Sequence, residues 1–359
     1  MTALTDTPLD PATIRRAVDD CLEHFLERKA RTATVQRMPD EIVDTLRGFL
    51  FAGGKRLRPL LCAIGWEAGG DAGTAAAMVK TAASLELFHA YALIHDDVMD
   101  RSDTRRGRPT VHRALASRHR PARGRKGAER LGTGGAILIG DLALSWSDEL
   151  LHTAGLPPNR LLAVLPLIDV MRTEVVCGQY LDLLATGRHD DGIETPLRII
   201  RYKTAKYTVE RPLLIGATLA GASSTAMEDL SAYAIPLGEA FQLRDDLLGV
   251  FGDPQKTGKS RLDDLREGKH TVLLAIAWEN ADSAQRSLLQ ALLGRADLSE
   301  QDAAKIRHIL IVTGARAKTE HMIRVRTAQA RHALSRSRLP TTARHTLHTI
   351  TEAATVRST

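Results

Sequence analysis

Apolar residues recur along most of the chain at intervals of three and four positions, which is the spacing of one face of an α-helix. No segment alternates apolar and polar residues between turn signals, so no strand is predicted and an all-α fold is favoured. The first predicted helix begins at Pro11, with Asp10 as its cap. Further helices are predicted over about 40–51, 59–66, 73–100, 110–117, 133–154, 159–185, 196–202, 204–220 and 224–249, followed by four or five shorter ones from 270 to about 353.

The segments between these helices are rich in glycine, proline and charge. We expect 118–130, which is dense in Arg, Gly and Pro, to be a mobile loop, and 101–109 and 251–268 to be loops as well. Residues 1–10 are polar and are expected to be disordered. Because neither a linker nor a repeat divides the helices, 11–355 is predicted to be a single domain, a helical bundle around a central elongated cavity.

Composition agrees with this fold and narrows the chemistry. Hydrophobic residues make up 43% of the 359 residues, which is ample for a core, whereas aromatic residues make up only 4%. The net charge of +6 is local in origin, since residues 101–130 hold eleven Lys and Arg against two acids. Such a cluster suits small polyanions as well as nucleic acid. The few aromatics and the lack of a recognition motif lead us to expect no nucleic-acid partner.

The cysteines and the apolar stretches bear on the compartment. Cys21, Cys62 and Cys177 have neither the paired spacing of a disulfide framework nor that of a zinc site, which favours a reducing compartment. No apolar stretch reaches the roughly 18–20 residues that span a bilayer, and residues 1–16 lack the apolar core of a signal peptide. We therefore expect a cytoplasmic protein without stable membrane insertion.

Three carboxylates close the long apolar helix predicted over 73–100. Asp96 and Asp100 are four residues apart and share a helix face, with Asp97 beside them. Like charges at this spacing cost a helix roughly 0.2–0.5 kcal/mol per pair, and an isolated Asp-Asp pair is usually a solvated turn. Here the acids end a hydrophobic helix, and hard divalent cations prefer several carboxylate oxygens. We interpret the turn as a magnesium site that holds a phosphorylated substrate.

A second acidic turn closes the helix predicted over 224–249. Asp245 and Asp246 form it, and Gln242 precedes Asp246 by four residues and so shares its helix face. At that position the amide could hydrogen-bond a phosphate or a metal-bound water. If the two turns face each other across a bundle, they form one multi-metal site, which is a stronger indication than either turn alone.

A diphosphate also needs cationic donors, and the chain offers several sets. Arg can bind phosphate through two parallel hydrogen bonds, whereas Lys provides a mobile point charge. Each cation alone would be interpreted as a surface charge, and a lone His on an apolar helix as a core residue. Beside two acidic turns we interpret them together as ligands for diphosphate: Lys55 and Arg58 after Gly53 and Gly54, His89 two turns before Asp96, Arg105 and Arg106, Lys203 with Thr204, and Lys259 with Lys269.

In this order, these residues resemble the motifs of the trans-isoprenyl diphosphate synthases, also called polyprenyl synthetases, over about 53–271. GGKRLRP at 53–59 is similar to the family's motif for isopentenyl diphosphate. DDVMD at 96–100 is similar to its first aspartate-rich motif, and DDLLG at 245–249, with Gly252 and Asp253, to its second. GQYLDL at 178–183 and KTA at 203–205 match further segments of the family.

The resemblance implies a magnesium-dependent prenyltransferase, acting as a homodimer, that joins isopentenyl diphosphate to the allylic dimethylallyl, geranyl or farnesyl diphosphate. It implies about three Mg²⁺ ions, held by Asp96, Asp97, Asp100 and Asp245 with support from Asp246; with Lys203 these are the implied catalytic residues. The allylic diphosphate would contact Arg105, Lys203, Thr204, Gln242, Lys259 and Lys269. The diphosphate of isopentenyl diphosphate would contact Lys55, Arg58, His89 and Arg106. The chain departs from the family pattern at Gly249, which replaces the third Asp of the second motif, and at 260–262, where small residues or glycine are common.

Residues one to two turns before Asp96 are expected to set the product length. Phe88 and Tyr91 could be plain core aromatics. In the family, a bulky aromatic at the fifth position before the first motif, here Tyr91, and a small residue at the fourth, here Ala92, accompany geranylgeranyl (C20) products. We expect a geranylgeranyl diphosphate synthase, with farnesyl diphosphate synthase as the alternative.

Two more distant alternatives differ in their motifs. A class I terpene cyclase would not need the Lys55 and Arg58 site, and it usually carries an Asn-Ser/Thr-Glu metal triad in place of the second Asp turn. A non-catalytic subunit of a heteromeric synthase would tend to lose the acidic motifs, which this chain keeps.

Overall fold

The computed structural model describes residues 9–70, 74–188, 192–254 and 260–355, and most of them are helical. The all-α class is therefore confirmed, while the single domain and the elongated cavity stay predictions. The first nine helices are α1 Pro11–Gln36, α2 Glu41–Leu50, α3 Leu57–Ala68, α4 Ala75–Met99, α5 Val111–His152, α6 Pro158–Ala185, α7 Glu194–Ile199, α8 Arg211–Ala220 and α9 Ser224–Phe251. A π-helix, Ile200–Glu210, lies between α7 and α8. The helices that follow α9 are Asp263–Glu267, Val272–Asn280, Ser283–Leu292, Glu300–Val312, Ala315–Arg336 and Thr341–Thr355.

Several helices begin where the sequence predicts a cap. The carboxylate of Asp10 accepts hydrogen bonds from the backbone N–H groups of Ala12 and Thr13, both at 3.1 Å, and Pro11 occupies the first turn of α1. The predicted disorder of 1–10 falls largely on residues 1–8, which lie outside the described residues. Leu9 packs against the hydrophobic core, so the ordered chain already includes it.

The predicted mobile loop over 118–130 is wrong. This segment is helical on both sides of Gly124, whose backbone (φ 65°, ψ 176°) interrupts α5. The chain reverses at Gly124, since the two parts of α5 on either side of it pack against each other. A Cβ atom placed on Gly132 would overlap the carbonyl oxygen of His112 and lie 3.0 Å from the Cβ of Ala116. One glycine in a left-handed conformation makes the turn, so the Arg, Gly and Pro density of 118–130 did not signify a long loop.

Three shorter predictions also need correction. The helices predicted over 196–202 and 204–220 are continuous, because the π-helix bridges the break expected at Lys203. The loop predicted over 251–268 contains the helix Asp263–Glu267. The basic loop predicted over 101–109 contains a two-stranded pair, Thr104–Arg105 with Arg108–Pro109, whose turn residues Arg106 and Gly107 both have positive φ.

Helix α4 is the element that places the first acidic turn. It is buried on nearly every side, which is typical of a central helix in an all-α protein. Helix α5 approaches it closely at Gly140, where an added Cβ would overlap the ring of His95. Helices α3 and α8 likewise touch through Gly65 and Gly216, whose added Cβ atoms would overlap the opposite backbone. Among the described residues, no helix has both the length and the apolar character that crossing a membrane requires.

Candidate active site

The first acidic turn is tied to the strand pair that follows it. Asp97 is 1% exposed, and both of its carboxylate oxygens accept hydrogen bonds from Nε of Arg105, at 2.8 and 2.9 Å. Nη2 of Arg105 reaches Asp96 at 3.3 Å. Arg105, predicted to bind the allylic diphosphate, therefore lies against the predicted metal ligands.

The π-helix brings a second cation to the same carboxylates. Nζ of Lys203 lies 3.2 Å from Asp96 and 2.6 Å from Asp182 of α6. The π-helix is held in place at two glycines. A Cβ atom on Gly178 of α6 would lie 2.6 Å from the backbone nitrogen of Lys203, and one on Gly238 of α9 would overlap the backbone of Ala205. π-Helices occur frequently at functional sites, where they reposition side chains.

The second acidic turn faces the first across these cations. Gln242 donates a hydrogen bond to Asp246 at 2.8 Å and accepts one from Thr204 of the π-helix at 2.8 Å, so the predicted shared face of Gln242 and Asp246 is confirmed. Nζ of Lys269 lies 3.6 Å from Asp100 of the first turn. The same ammonium lies 3.7 Å from Asp264 and 2.8 Å from Glu267.

Burial and repulsion set the charge of these carboxylates. Burial, followed by the neighbouring Asp96, raises the pKa of Asp100 to about 6, although Lys269 opposes the shift. Burial raises the pKa of Asp246 to about 8, with Asp264 and Asp245 adding to the shift against the hydrogen bond from Gln242. Burial also acts on Asp96, but Lys203, Lys269 and Arg105 outweigh it and lower the pKa of that carboxyl.

A second basic cluster lies on the other side of the strand pair. The guanidinium of Arg106 donates a hydrogen bond to the carbonyl oxygen of Gly53 and packs 3.2 Å from the Cβ position of Gly54. Arg58 donates to the hydroxyl of Thr208 at 2.6 Å and lies over the ring of Tyr207, 4.2 Å from its centroid. Since Arg105 and Arg106 are consecutive, the strand pair places one cation beside the first acidic turn and the next in the basic cluster.

His89 belongs to this basic cluster. Its Nδ1 lies 3.1 Å from the hydroxyl of Tyr207, the residue that also contacts Arg58. Burial, then Arg58 and Arg106, hold the pKa of His89 well below its usual range. The structure thus brings Arg58, His89 and Arg106 together, as the prediction for the diphosphate of isopentenyl diphosphate requires.

Two other residues of the 53–59 segment have different surroundings. Lys55 is exposed, and its carbonyl accepts a hydrogen bond from Arg15 of α1 at 3.3 Å. Arg56 is buried in a left-handed conformation (φ 49°), and its guanidinium reaches Asp19 at 2.7 Å and Glu86 at 2.8 Å. Arg56 therefore joins the segment to α1 and α4, and so holds its neighbours in position.

The residues predicted to set product length line the helix below the first acidic turn. Phe88 is 2% exposed, and its ring contacts those of Tyr91 and Tyr207, with centroids 5.3 and 5.8 Å apart. The guanidinium of Arg172 lies 5.5 Å from the centroid of the Phe88 ring. Tyr91 is half-buried and packs against the ring of His95 at 4.7 Å. Ala92 is half-buried one turn before Asp96 and packs against the core.

The donor set of the two turns fits a divalent cation. Among the described residues, no three acidic, His or Cys side chains are close enough to hold a metal ion together; Arg105, Lys203 and Lys269 lie between the acids. These three cations lie among carboxylates of the first turn and of neighbouring helices: Asp96, Asp97, Asp100, Asp182, Asp264 and Glu267. In the second turn, Asp245 and Lys269 are both close enough to Asp246 to act on its pKa. Repulsion between neighbouring acids adds to burial in raising the pKa values of Asp100 and Asp246, and Mg²⁺ would offset that repulsion. The metal ligands would be Asp96, Asp97, Asp100 and Asp245.

Lys259, predicted to bind the allylic diphosphate, lies outside the described residues.

Several other residues of the site had no assigned role in the sequence analysis. Asp182 is within the 178–183 segment that resembles the family, and this resemblance was the one signal for it. The remaining unassigned residues contact predicted ones only through the fold: Tyr207, Thr208, Asp264 and Glu267.

Comparison with known proteins agrees with this geometry. The family model described as polyprenyl synthetase matches residues 39–310, which is most of the chain. The chain is similar in structure to geranylgeranyl pyrophosphate synthase from Corynebacterium glutamicum, crystallised with isoprenyl diphosphate and magnesium. The TM-score is 0.93 and the identity 38%, over 98% of this chain and 100% of that one.

Curated relatives carry different product names. Geranylfarnesyl diphosphate synthase from Aeropyrum pernix is 32% identical over 301 residues, which is 83% of this chain and 88% of that protein. (2E,6E)-Farnesyl diphosphate synthase from Mycobacterium bovis is 34% identical over 266 residues, 73% of this chain and 68% of that protein. The relatives therefore agree on the class of enzyme and differ in the product.

Proposed function

The chain belongs to the polyprenyl synthetase family, and we propose that it is a magnesium-dependent geranylgeranyl diphosphate synthase, which condenses isopentenyl diphosphate with allylic diphosphates. The observation that carries the proposal is the pairing of two sites. Two acidic turns, of which Lys269 contacts the first at Asp100 and lies near Asp246 of the second, lie beside a separate basic cluster of Arg58, His89 and Arg106. A reaction between two diphosphates needs one site for each.

The allylic diphosphate would bind between the acidic turns. Arg105, Lys203 and Lys269 are positioned to donate hydrogen bonds to its oxygens. Bound Mg²⁺ would stabilise the negative charge that develops on the diphosphate as it leaves. The side chains of Thr204 and Gln242 hold each other and Asp246 in a chain of hydrogen bonds, which keeps the second acidic turn oriented toward the π-helix.

Isopentenyl diphosphate would bind at the basic cluster. Arg58, Arg106 and the neighbouring Lys55 would hold its diphosphate, and His89 would donate from its second ring nitrogen or accept from a protonated oxygen. The neutral state of His89 follows from its buried, arginine-rich surroundings. A bound diphosphate would favour its protonation, because an anion nearby stabilises the charged imidazole.

The reaction balances without a nucleophilic side chain. The allylic C–O bond breaks, and its electron pair leaves with the diphosphate, which leaves a carbocation. The double bond of isopentenyl diphosphate attacks that cation to form the new C–C bond. A proton is then lost to the departing diphosphate, and the product is five carbons longer. Apolar and aromatic residues below the first turn, such as Phe88 and Tyr91, would exclude the water that quenches a cation.

The C20 product rests on helix α4. Phe88 and Tyr91 are in contact one to two turns below Asp96, where a growing chain would extend away from the diphosphate. Farnesyl diphosphate synthase remains the alternative, since the relatives include enzymes of that name. A class I terpene cyclase would not require the cluster of Arg58, His89 and Arg106.

One set of incubations tests the proposal. Purified protein is incubated with Mg²⁺, labelled isopentenyl diphosphate and, in turn, dimethylallyl, geranyl or farnesyl diphosphate, and products are identified by mass spectrometry. We expect geranylgeranyl diphosphate from all three primers, no product with EDTA, and no change on addition of DNA. Accumulation of farnesyl diphosphate would favour the alternative. Diphosphate release without incorporation of label would indicate a cyclase and contradict the proposal.

A homodimer is part of the proposal. Helix α6 carries an apolar stripe that the rest of the chain leaves exposed. Its members lie at helical spacing along one face, with exposed fractions between 42% and 68%: Leu162, Val176, Tyr180, Leu183 and Leu184. Stripes of this kind on a soluble protein mark interaction sites, and a second copy of the chain would cover this one.

A further inference from the structure

The carboxylates of the two acidic turns repeat the same spacing, except that the second turn lacks the third one. The first has carboxylates at Asp96, Asp97 and Asp100, and the second has them at Asp245 and Asp246. The position equivalent to Asp100 is Gly249, which has no side chain. On its own helix, the second turn is therefore one carboxylate short.

A carboxylate from another helix occupies the space beside Gly249. A Cβ atom built on Gly249 would overlap Oδ2 of Asp264 and lie 3.1 Å from its Cγ. The next nearest atom is the Cβ of Asp264, at 3.9 Å. Gly249 thus leaves a space of side-chain size on α9, and the carboxylate of Asp264, from the helix Asp263–Glu267, fills it.

Asp264 also has the electrostatic relations that a third carboxylate would have. Nζ of Lys269 lies 3.7 Å from Asp264 and 3.6 Å from Asp100, so one ammonium contacts both acids. Asp264 is close enough to Asp246 to raise the pKa of that residue. Asp100 and Asp264 therefore share one ammonium at nearly equal distances.

We propose that Asp264 supplies, from a separate helix, the third carboxylate that Gly249 leaves out of the second acidic turn. It is a positioning residue: its charge helps Asp245 to hold a divalent cation, and its carboxylate occupies the space that Gly249 leaves on α9. The proposal rests on the proposed function, since the cation is the one expected between the two turns. Carboxylates beside metal ligands commonly change metal affinity by about 10–100-fold when removed.

The first test is metal binding without catalysis. The thermal unfolding midpoint is measured during titration with Mg²⁺ in the presence of inorganic diphosphate, because ligands that bind the folded state raise it. For Asp264→Asn, which keeps the shape of the side chain, and for Asp264→Ala, we expect the half-saturating Mg²⁺ concentration to rise by about 10-fold or more. Asp263→Asn is the matched control, since Asp263 is the exposed neighbour on the same helix, and it should titrate like the wild type.

The second test exchanges the two positions. Gly249→Asp alone places a carboxylate where Asp264 already lies, so we expect weaker metal binding from overlap and repulsion. The double variant Gly249→Asp/Asp264→Ala should recover most of the affinity that Asp264→Ala loses. Gly249→Ala/Asp264→Ala is its control, because it fills the space without a charge, and it should not recover.

Two results would overturn the inference. One is an Asp264→Asn variant whose half-saturating Mg²⁺ concentration equals that of the wild type. The other is an exchange variant no better than Asp264→Ala, which would mean that Asp264 serves only to hold Lys269. Failure of the proposed function is separate: it would appear as a wild-type protein that binds Mg²⁺ and diphosphate but makes no prenyl product. If the wild type does make product, the titrations judge Asp264 alone.

Discussion

At the scale of single residues, the site is an exchange of partners between carboxylates, cations and substrate. Asp96 contacts Arg105 and Lys203, and each of these cations keeps a second acid, Asp97 and Asp182 respectively. Because Asp96 contacts both cations, either one can turn toward a diphosphate while the other still pairs with Asp96. Asp97 or Asp182 would then lose the pairing shown here. The proposed Mg²⁺ ions would neutralise what remains.

The first prediction concerns the two leading acids of the turns. Asp96→Ala and Asp245→Ala should each lower turnover by about 1,000-fold, since metal-assisted charge stabilisation is worth several kcal/mol and each 1.4 kcal/mol is about tenfold. The thermal midpoint should change by only a few degrees, because removing one of several like charges creates no cavity. Steady-state kinetics and thermal unfolding measure the two effects.

The control for these variants is Asp103→Ala. Its side chain is 79% exposed and pairs with Arg113 near the same turn, so turnover should stay close to that of the wild type. Full activity in Asp96→Ala or Asp245→Ala would refute the assignment of metal ligands.

The second prediction concerns the charge of His89. Its pKa in the folded protein lies well below the usual 6.5, chiefly through burial. Well above pH 6.5 the imidazole is neutral in both states and has no effect on the pH dependence of stability. As the pH falls below 6.5, the unfolded chain binds a proton that the folded protein does not, so the wild type loses stability, by at most about 1.4 kcal/mol per pH unit.

Urea unfolding of the wild type and of His89→Gln between pH 8 and pH 5 measures this loss. The difference in unfolding free energy between the two should be constant above pH 7 and should shift in favour of the variant below pH 6. His152→Gln, at an exposed position, controls for the loss of an imidazole. A difference that is independent of pH would show that His89 titrates alike in both states.

The residues missed in the sequence share a physical cause. Asp182 pairs with Lys203, and Tyr207 contacts His89 from 118 positions away along the chain. Nothing in local sequence distinguishes such a partner from an ordinary polar residue. The acidic turns could be predicted, because their carboxylates come from one helix end at fixed spacing, whereas their partners depend on how distant helices pack.

At the scale of elements, the π-helix Ile200–Glu210 determines where Lys203 and Thr204 point. It was not predictable, because a wider helical turn changes the backbone hydrogen bonds and leaves little trace in the apolar pattern. The contacts at Gly178 and Gly238 explain why it persists, since no side chain separates its backbone from α6 and α9 there.

The third prediction tests these two close approaches. Gly178→Ala and Gly238→Ala should each destabilise the protein by about 1–3 kcal/mol through overpacking, and should reduce turnover because Lys203 is displaced. Gly134→Ala is the matched control, since that glycine lies in α5 and, among the described residues, no atom beyond its own stretch of helix backbone lies within 4 Å of its Cβ position. It should be neutral or stabilise by about 0.4–1 kcal/mol. Equal effects at all three glycines in urea unfolding would contradict the role of close packing.

The fourth prediction concerns Tyr91 on α4. If it closes the product pocket together with Phe88, Tyr91→Ala should shift the products toward chains longer than C20, as measured by mass spectrometry. Tyr91→Phe keeps the ring that packs on Phe88 and His95, and it should retain the wild-type product. Identical product spectra for the wild type and Tyr91→Ala would show that another residue limits the chain.

At the scale of the whole molecule, the charged site and the proposed contact between copies differ in burial. The acidic turns and the basic cluster lie where α4, α9 and the π-helix meet, and they are partly or fully buried. The apolar stripe of α6 is exposed. Yet α6 contributes to both, because Asp182 pairs with Lys203 while Leu183 and Leu184 are exposed beside it. A partner that covers the stripe would therefore support the helix that holds a site residue.

The last prediction is the oligomeric state. Sedimentation equilibrium of the wild type should give twice the chain mass of 39.2 kDa, because the exposed apolar residues of α6 are concentrated in its second half, at Val176, Tyr180, Leu183 and Leu184, and a second copy would cover them. Leu162→Asp/Val176→Asp places two charges in the stripe and should shift the protein toward monomer, with weaker turnover through the loss of support for Asp182. Val312→Asp is the matched control, since Val312 is 52% exposed against 51% for Val176 but lies on a different helix. A wild type that sediments as a monomer, or a double variant that remains fully dimeric, would exclude the stripe as the contact between copies.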